Sequence, residues 1–276
     1  MNSLKFLKPL LCVIALTLGA TTVYAADADP DPNTEMWGKV RKSLFESRPI
    51  SEKADKVIQL DAPVRAEDAA TVPISIKAQL QQNPNEYVKK VYLIVDKNPS
   101  PIAAVFTMTP DSGRADLETR IRVEEYSYIR AIAEMNDGKL YSVARYIKAS
   151  GGCSAPAGKD QAEAMSKVGK IKMRLENDVK YNQPNLVQLM VNHPNNSGLA
   201  MDQVTRLFVP AYYVRRINVT YADKPVLTAD VDFSISENPN FRFYFVPKEK
   251  GVLKAEVEDT ADKKFNGALE VVAGKS

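Results

Sequence analysis

The sequence is poor in the residues that most often carry enzyme chemistry: its 276 residues include two cysteines, one histidine and one tryptophan. A single histidine leaves no Cys/His metal set of the usual spacing, and a zinc site would have to be completed by carboxylates. No glycine-rich phosphate loop follows a strand and opens a helix, so neither a metal nor a cofactor is expected. An excess of one charge is also missing, with 37 Lys and Arg against 34 Asp and Glu. Without a basic surplus the chain lacks the electrostatic footprint of a nucleic-acid binder. Long hydrophobic runs are absent too. The apolar stretch Pro9 to Leu18 is too short for a comfortable membrane span, and no later one is long enough.

That short stretch has another reading. It follows Lys5 and Lys8 and leads into small residues ending Val23-Tyr24-Ala25, the pattern of a secretory signal peptide (residues 1–25) with cleavage expected after Ala25. Removing Lys5 and Lys8 takes the 37 basic residues to 35 against 34 acidic ones, near neutrality. It also removes Cys12 and leaves Cys153 with no intramolecular disulfide partner. An unpaired thiol in an exported chain is a candidate reactive group. Cys153 lies in Ala149-Ser150-Gly151-Gly152-Cys153-Ser154-Ala155-Pro156-Ala157-Gly158. Gly151 and Gly152 allow positive φ, and the small residues around the sulfur offer no apolar cage. The expectation is an exposed thiol on a mobile arm.

The chain on either side reads as β structure. Asp27 to Asn33 is rich in Pro and Asp and is expected to be disordered. Trp37, Val40, Leu44 and Phe45 have helical spacing, and Pro49 ends the run, which predicts a short helix covering an edge of the first domain. After it the hydrophobic period is two, in Ile74 to Leu80, Val91 to Val95 and Leu117 to Val123. Asp137-Gly138 predicts a hairpin whose two central residues both have positive φ. Period two resumes in Ile171 to Leu175, Val187 to Val191, Ile217 to Tyr221, Leu227 to Phe233, Phe241 to Phe245 and Leu253 to Val257. The predicted fold is all-β: two immunoglobulin-like antiparallel sandwiches, residues 34–150 and 169–274, joined by a flexible cysteine-bearing linker, residues 151–168.

His193 is the remaining candidate, in Asn192-His193-Pro194-Asn195-Asn196-Ser197-Gly198 at a strand end. A Cys153/His193 pair would make a thiol hydrolase, but a catalytic pair must be held within hydrogen-bond reach. These two lie in different halves of the chain. The plainer reading is a turn histidine. Glu124-Glu125 and Arg215-Arg216 read as solvated faces or loop ends, and the aromatic residues as core.

The first half resembles SoxY, the thiol-bearing subunit of a periplasmic sulfur-oxidation carrier. The residues are Leu60-Asp61-Ala62-Pro63, Val91-Tyr92-Leu93-Ile94-Val95-Asp96-Lys97-Asn98-Pro99, Thr119-Arg120-Ile121 and Asp137-Gly138-Lys139-Leu140-Tyr141-Ser142, leading to Gly151-Gly152-Cys153. The second half is similar to SoxZ through His193-Pro194, Ser197-Gly198-Leu199, Asp223-Lys224-Pro225-Val226 and Ser234-Ile235-Ser236-Glu237-Asn238-Pro239. One chain carrying both resembles the fused SoxYZ-like carriers named for association with quinoprotein dehydrogenases. The resemblance implies a periplasmic carrier, not an enzyme, that holds a sulfur intermediate on Cys153 and presents it to redox or sulfur-oxidation enzymes. In SoxY the Gly-Gly-Cys ends the chain, whereas here Ser154-Ala155-Pro156 and a second domain follow, and an arm tied at both ends reaches less far. The alternatives are a binding or assembly module for a periplasmic quinoprotein dehydrogenase, with the thiol incidental or redox-sensing, and the thiol hydrolase.

Overall fold

Thr34 opens the first element by accepting the Trp37 N–H on its side chain (3.1 Å), and Glu35 complements the positive end of helix α1 (Glu35–Phe45). Glu46, at φ 53°, closes it with an N–H to the Lys42 carbonyl. The computed structural model describes residues 29–80, 82–156 and 161–273. The expected signal peptide and residues 157–160 of the expected linker lie outside these.

Eight strands follow in the first half. They are β1 (Ile50–Glu52), β2 (Ile58–Asp61), β3 (Val72–Ala78), β4 (Val88–Val95), β5 (Ile102–Met108), β6 (Leu117–Ile121), β7 (Ser127–Met135) and β8 (Leu140–Ile147). After a short helix α2 (Gln161–Ser166) come β9 (Ile171–Leu175), β10 (Asn185–Val191), β11 (Val214–Tyr221), β12 (Lys224–Val231), β13 (Asn240–Phe245), β14 (Gly251–Asp259) and β15 (Lys264–Val271). The protein is therefore all-β in two layers. One layer has nine strands in the order β1-β8-β7-β4-β5-β12-β11-β14-β15, and the other six, β2-β3-β6-β13-β10-β9. Alternation follows the pleat: in β3 the residues Val72, Ile74, Ile76 and Ala78 point into the core, with Pro73 and Lys77 outward.

Each half supplies strands to both layers, as two sandwiches should, but the halves are not tethered bodies. Their layers are continuous, and residues Asp31–Ser276 form one compact unit. In the larger layer β5 pairs antiparallel with β12 from Leu227↔Met108 to Val231↔Ala104. In the smaller one β6 meets β13 at the single register pair Arg242↔Glu118, reinforced by an ion pair of 2.9 Å. The physical reason is edge chemistry. Strands β5 and β12 would each leave a row of unpaired amides beside apolar side chains, and pairing them removes both exposed edges. The core runs across the seam, where Phe106 of β5 meets Phe241 of β13 edge to face, with centroids 5.9 Å apart.

Two local expectations need correction. Helix α1 covers a face rather than an edge: Trp37, Val40 and Phe45 pack on Tyr92, Ile94, Ile132 and Leu140, on the side of β4 turned away from the main core. In the β7–β8 hairpin only Gly138 has positive φ, 86°. The Gly138 N–H bonds the Met135 carbonyl, and the Met135 N–H bonds that of Lys139. The loop is thus longer than a two-residue turn, and its left-handed position falls on the glycine alone.

Candidate functional site

Strand β8 delivers the chain to the seam between the halves. Beyond it Lys148 donates its N–H to the Val64 carbonyl (2.8 Å), and Gly151 and Gly152 donate theirs to Glu124 and Val123 (2.8 and 2.9 Å). Gly151 has φ 80°. At Gly152 a Cβ would stand 2.0 Å from the Ala69 carbonyl oxygen, so only glycine fits. The expectation of a free, flexible arm is therefore corrected: in this structure the two glycines let the segment pack closely against the first half.

The expectation of an exposed thiol is corrected as well. Cys153 is buried, with 1% of its surface exposed. Its N–H and that of Ser154 both donate to Glu124 Oε2 (2.8 and 3.1 Å), and Ser154 Oγ donates to Oε1 (2.8 Å). From the second half, Ser197 Oγ donates to the Cys153 carbonyl at 2.5 Å. The cage the local sequence did not provide comes from distant segments. A cavity of about 170 Å³ adjoins the thiol, lined by Asp68 and Arg122 of the first half and Pro194, Asn196, Ser197 and Glu237 of the second.

Burial pushes the Cys153 thiol up from 9.0 to about 12; Glu124 and Asp232 add to the shift and Arg122 opposes it. In this closed arrangement the sulfur is a neutral thiol and a poor nucleophile. Arg122 is buried and spans the seam: its Nη1 donates to the Phe233 and Ile235 carbonyls (both 2.8 Å). Burial lowers its pKa, against the pull of Cys153, Glu237 and Asp68. Asn98 ties the same seam, donating to the Arg122 carbonyl (2.8 Å) and to Ser234 Oγ (2.9 Å).

His193 lies in the segment that follows β10, as expected, and is buried. Its Nδ1 accepts the Asn195 N–H (3.1 Å), and its Nε2 lies 3.6 Å from Asp259 Oδ2, which also accepts the Tyr212 hydroxyl (2.7 Å). Burial lowers its pKa to about 4 despite Asp259, so the ring is neutral. With one nitrogen on a backbone amide and the other facing Asp259, His193 is not disposed as a base for Cys153. Its neighbour Pro194 is what reaches the thiol's cavity. Trp37 packs beneath Arg130, whose guanidinium lies 4.4 Å from the ring centroid and is paired with Asp96. Arg215 and Arg216 make exposed ion pairs along β11.

Sequence reasoning missed Glu124, Arg122 and Ser197. Glu124 read as one of two solvated carboxylates, and a lone serine or arginine carries no local signal that it will meet a residue 30 or more positions away. The one available hint was that Ser197 and Ser234 to Glu237 lie inside the stretches that resemble SoxZ. Among the described residues no group of three or more His, Cys, Asp and Glu side chains could hold a metal, and no helix is long and apolar enough to cross a membrane.

The arrangement defines a class: a two-layer β protein that keeps one thiol at the junction of two halves, each contributing to both layers. Residues 41–153 match the family "Sulfur oxidation protein SoxY", and residues 173–270 the family "Sulphur oxidation protein SoxZ". Taken together these matches cover most of the chain, which belongs to the fused SoxYZ-like proteins, a SoxY domain followed by a SoxZ domain. That membership supports a sulfur-carrier role and not an enzyme's. No protein of curated function matches the chain. Among solved structures it is similar to the sulfur carrier protein SoxY from Chlorobium limicola f thiosulfatophilum, with 26% identity over 41% of this chain and 94% of that one and a TM-score of 0.34. It is also similar to a superoxide reductase (neelaredoxin) from Ignicoccus hospitalis, with 13% identity over 36% and 93% of the two chains and a TM-score of 0.32.

Proposed function

We propose that the protein is a periplasmic sulfur carrier whose attachment point is Cys153, held closed in the seam and released to meet partner enzymes of sulfur oxidation. The observation that carries this reading is that the SoxY match ends on Cys153, the one free cysteine among the described residues, and that both halves build the cavity beside it. In the released state the thiol regains an ordinary pKa and a usable thiolate fraction. The thiolate then attacks a terminal sulfane sulfur of a polysulfide. One S–S bond forms on Cys153, one breaks, and the electron pair leaves with the shortened polysulfide, so loading needs no oxidant. Gly151 and Gly152 serve as the hinge on which the segment leaves Glu124. Association with a quinoprotein dehydrogenase system rests on the resemblance alone.

A second reading has an observation of its own. A cysteine pinned by Glu124 and Ser197 and shifted to about 12 is also what a structural thiol looks like, and that favours the assembly module. Intact mass of protein purified from its own periplasm separates the two. The carrier reading expects an increment that reductant removes and that Cys153→Ser abolishes, together with loss of sulfur oxidation by the host. An unmodified wild type, or a Cys153→Ser host that oxidises sulfur normally, supports the assembly module.

A further inference from the structure

The segment that latches the thiol continues into the most exposed apolar group among the described residues. After Ser197 the chain passes Gly198 at φ 85° and makes an excursion closed at its base by the bridge Asn196↔Tyr212 and near its tip by Met201↔Phe208. The tip is ordered by Asp202, whose Oδ1 accepts the N–H of Val204 (3.1 Å) and both the N–H and hydroxyl of Thr205 (2.7 and 2.9 Å). On this hydrogen-bonded turn Val204, Leu207 and Phe208 are 91%, 69% and 62% exposed. Lower on the excursion, Ala200 and Val209 are turned inward as walls of the thiol's cavity. One short segment thus presents apolar side chains to solvent at its tip and holds the Cys153 carbonyl at its base.

We propose that this excursion, residues 195–213, is a gate that a partner operates. Its apolar tip docks in an apolar recess of the protein that exchanges sulfur with Cys153, and docking draws Ser197 and the cavity wall away from the thiol. The inference rests on the carrier reading. A protein partner fits better than a second copy of the chain. The tip exposes on the order of a few hundred Å², well under the roughly 1,200 Å² of a stable interface, and it adjoins the group to be transferred. A carrier must let go of each partner, and a small ordered patch suits brief encounters. Coupling the patch to the latch keeps the thiol closed until a recipient is in place.

The test uses the full chain. Protein carrying Leu207→Ser and Phe208→Ser, purified from its own cells, is expected to carry at least tenfold less reducible adduct on Cys153 than wild type. The same purified variant should take up sulfur from inorganic polysulfide at the wild-type rate. Separately, Ser197→Ala should raise maleimide labelling of native protein about tenfold, the loss of one hydrogen bond from the closed state. Normal adduct levels in the double variant overturn the proposal. So do equal loss of polysulfide uptake, labelling unmoved by Ser197→Ala, or a wild-type dimer that the double variant abolishes. A wild type with no adduct at all overturns the carrier reading, and this proposal with it.

Discussion

Cys153 is kept protonated by its surroundings, and this has a direct consequence for pH. The labelling rate of a freely exposed thiol levels off above its own pKa, because all of it is then thiolate. The closed state instead binds its proton up to about 12, against 9.0 for the unperturbed group. Between these values rising pH therefore favours opening, because the open form gives up a proton that the closed form keeps. Labelling of the native protein is expected to climb about tenfold per pH unit through and beyond pH 9, without a plateau. Gly152→Ala, whose Cβ would collide with the Ala69 carbonyl, should expel the segment and show the plateau. Stopped-flow labelling of both proteins checks this, and a plateau near pH 9 in wild type would mean an open thiol.

At the scale of elements the decisive contact is between strands of different halves. Phe106 in β5 and Phe241 in β13 are both fully packed, and their rings meet edge to face across the two layers. Truncating Phe106 to alanine is expected to cost about 3–5 kcal/mol. In a double-mutant cycle with Phe241→Ala, a coupling of about 0.5–1.5 kcal/mol should remain beyond the separate losses. Chemical denaturation measures both. Strict additivity would show that the seam is not locked by this pair. Helix α1 covers the outer face of β4, β7 and β8, in a cluster that extends to Val105 of β5.

For the whole molecule, continuous layers imply that neither half is an independent folding unit. Heating should give one calorimetric transition, with calorimetric and van't Hoff enthalpies in agreement. Two resolved transitions would contradict the shared sheets. Residues 31–156 and 161–276 made as separate chains should aggregate alone, each exposing a strand edge of the larger layer, and become soluble when produced together. Covalent fusion then raises the local concentration of one half for the other, while the β5–β12 ladder provides the specificity.

Much of this was legible from residue patterns. Period two found most strands, the helical spacing of Trp37, Val40 and Phe45 found α1, and the cysteine count singled out Cys153. These are local signals, since a pleat or a helical turn repeats within a few residues. Strand β5 was not legible: Ile102–Met108 lies mid-sheet with no clean alternation, and in it Ala103, Ala104, Phe106 and Met108 are all buried. The joining of the halves rests on that strand. The state of the thiol was hidden for a similar reason. Small neighbours in sequence implied exposure, whereas Glu124, Arg122 and Ser197, brought in from strands and loops far along the chain, close over it. By itself the sequence determined an all-β chain in two layered halves with one free thiol between them. Only the tertiary structure decided that the halves share their sheets and that the thiol is shut in the seam, because desolvation and edge pairing depend on which distant surfaces meet.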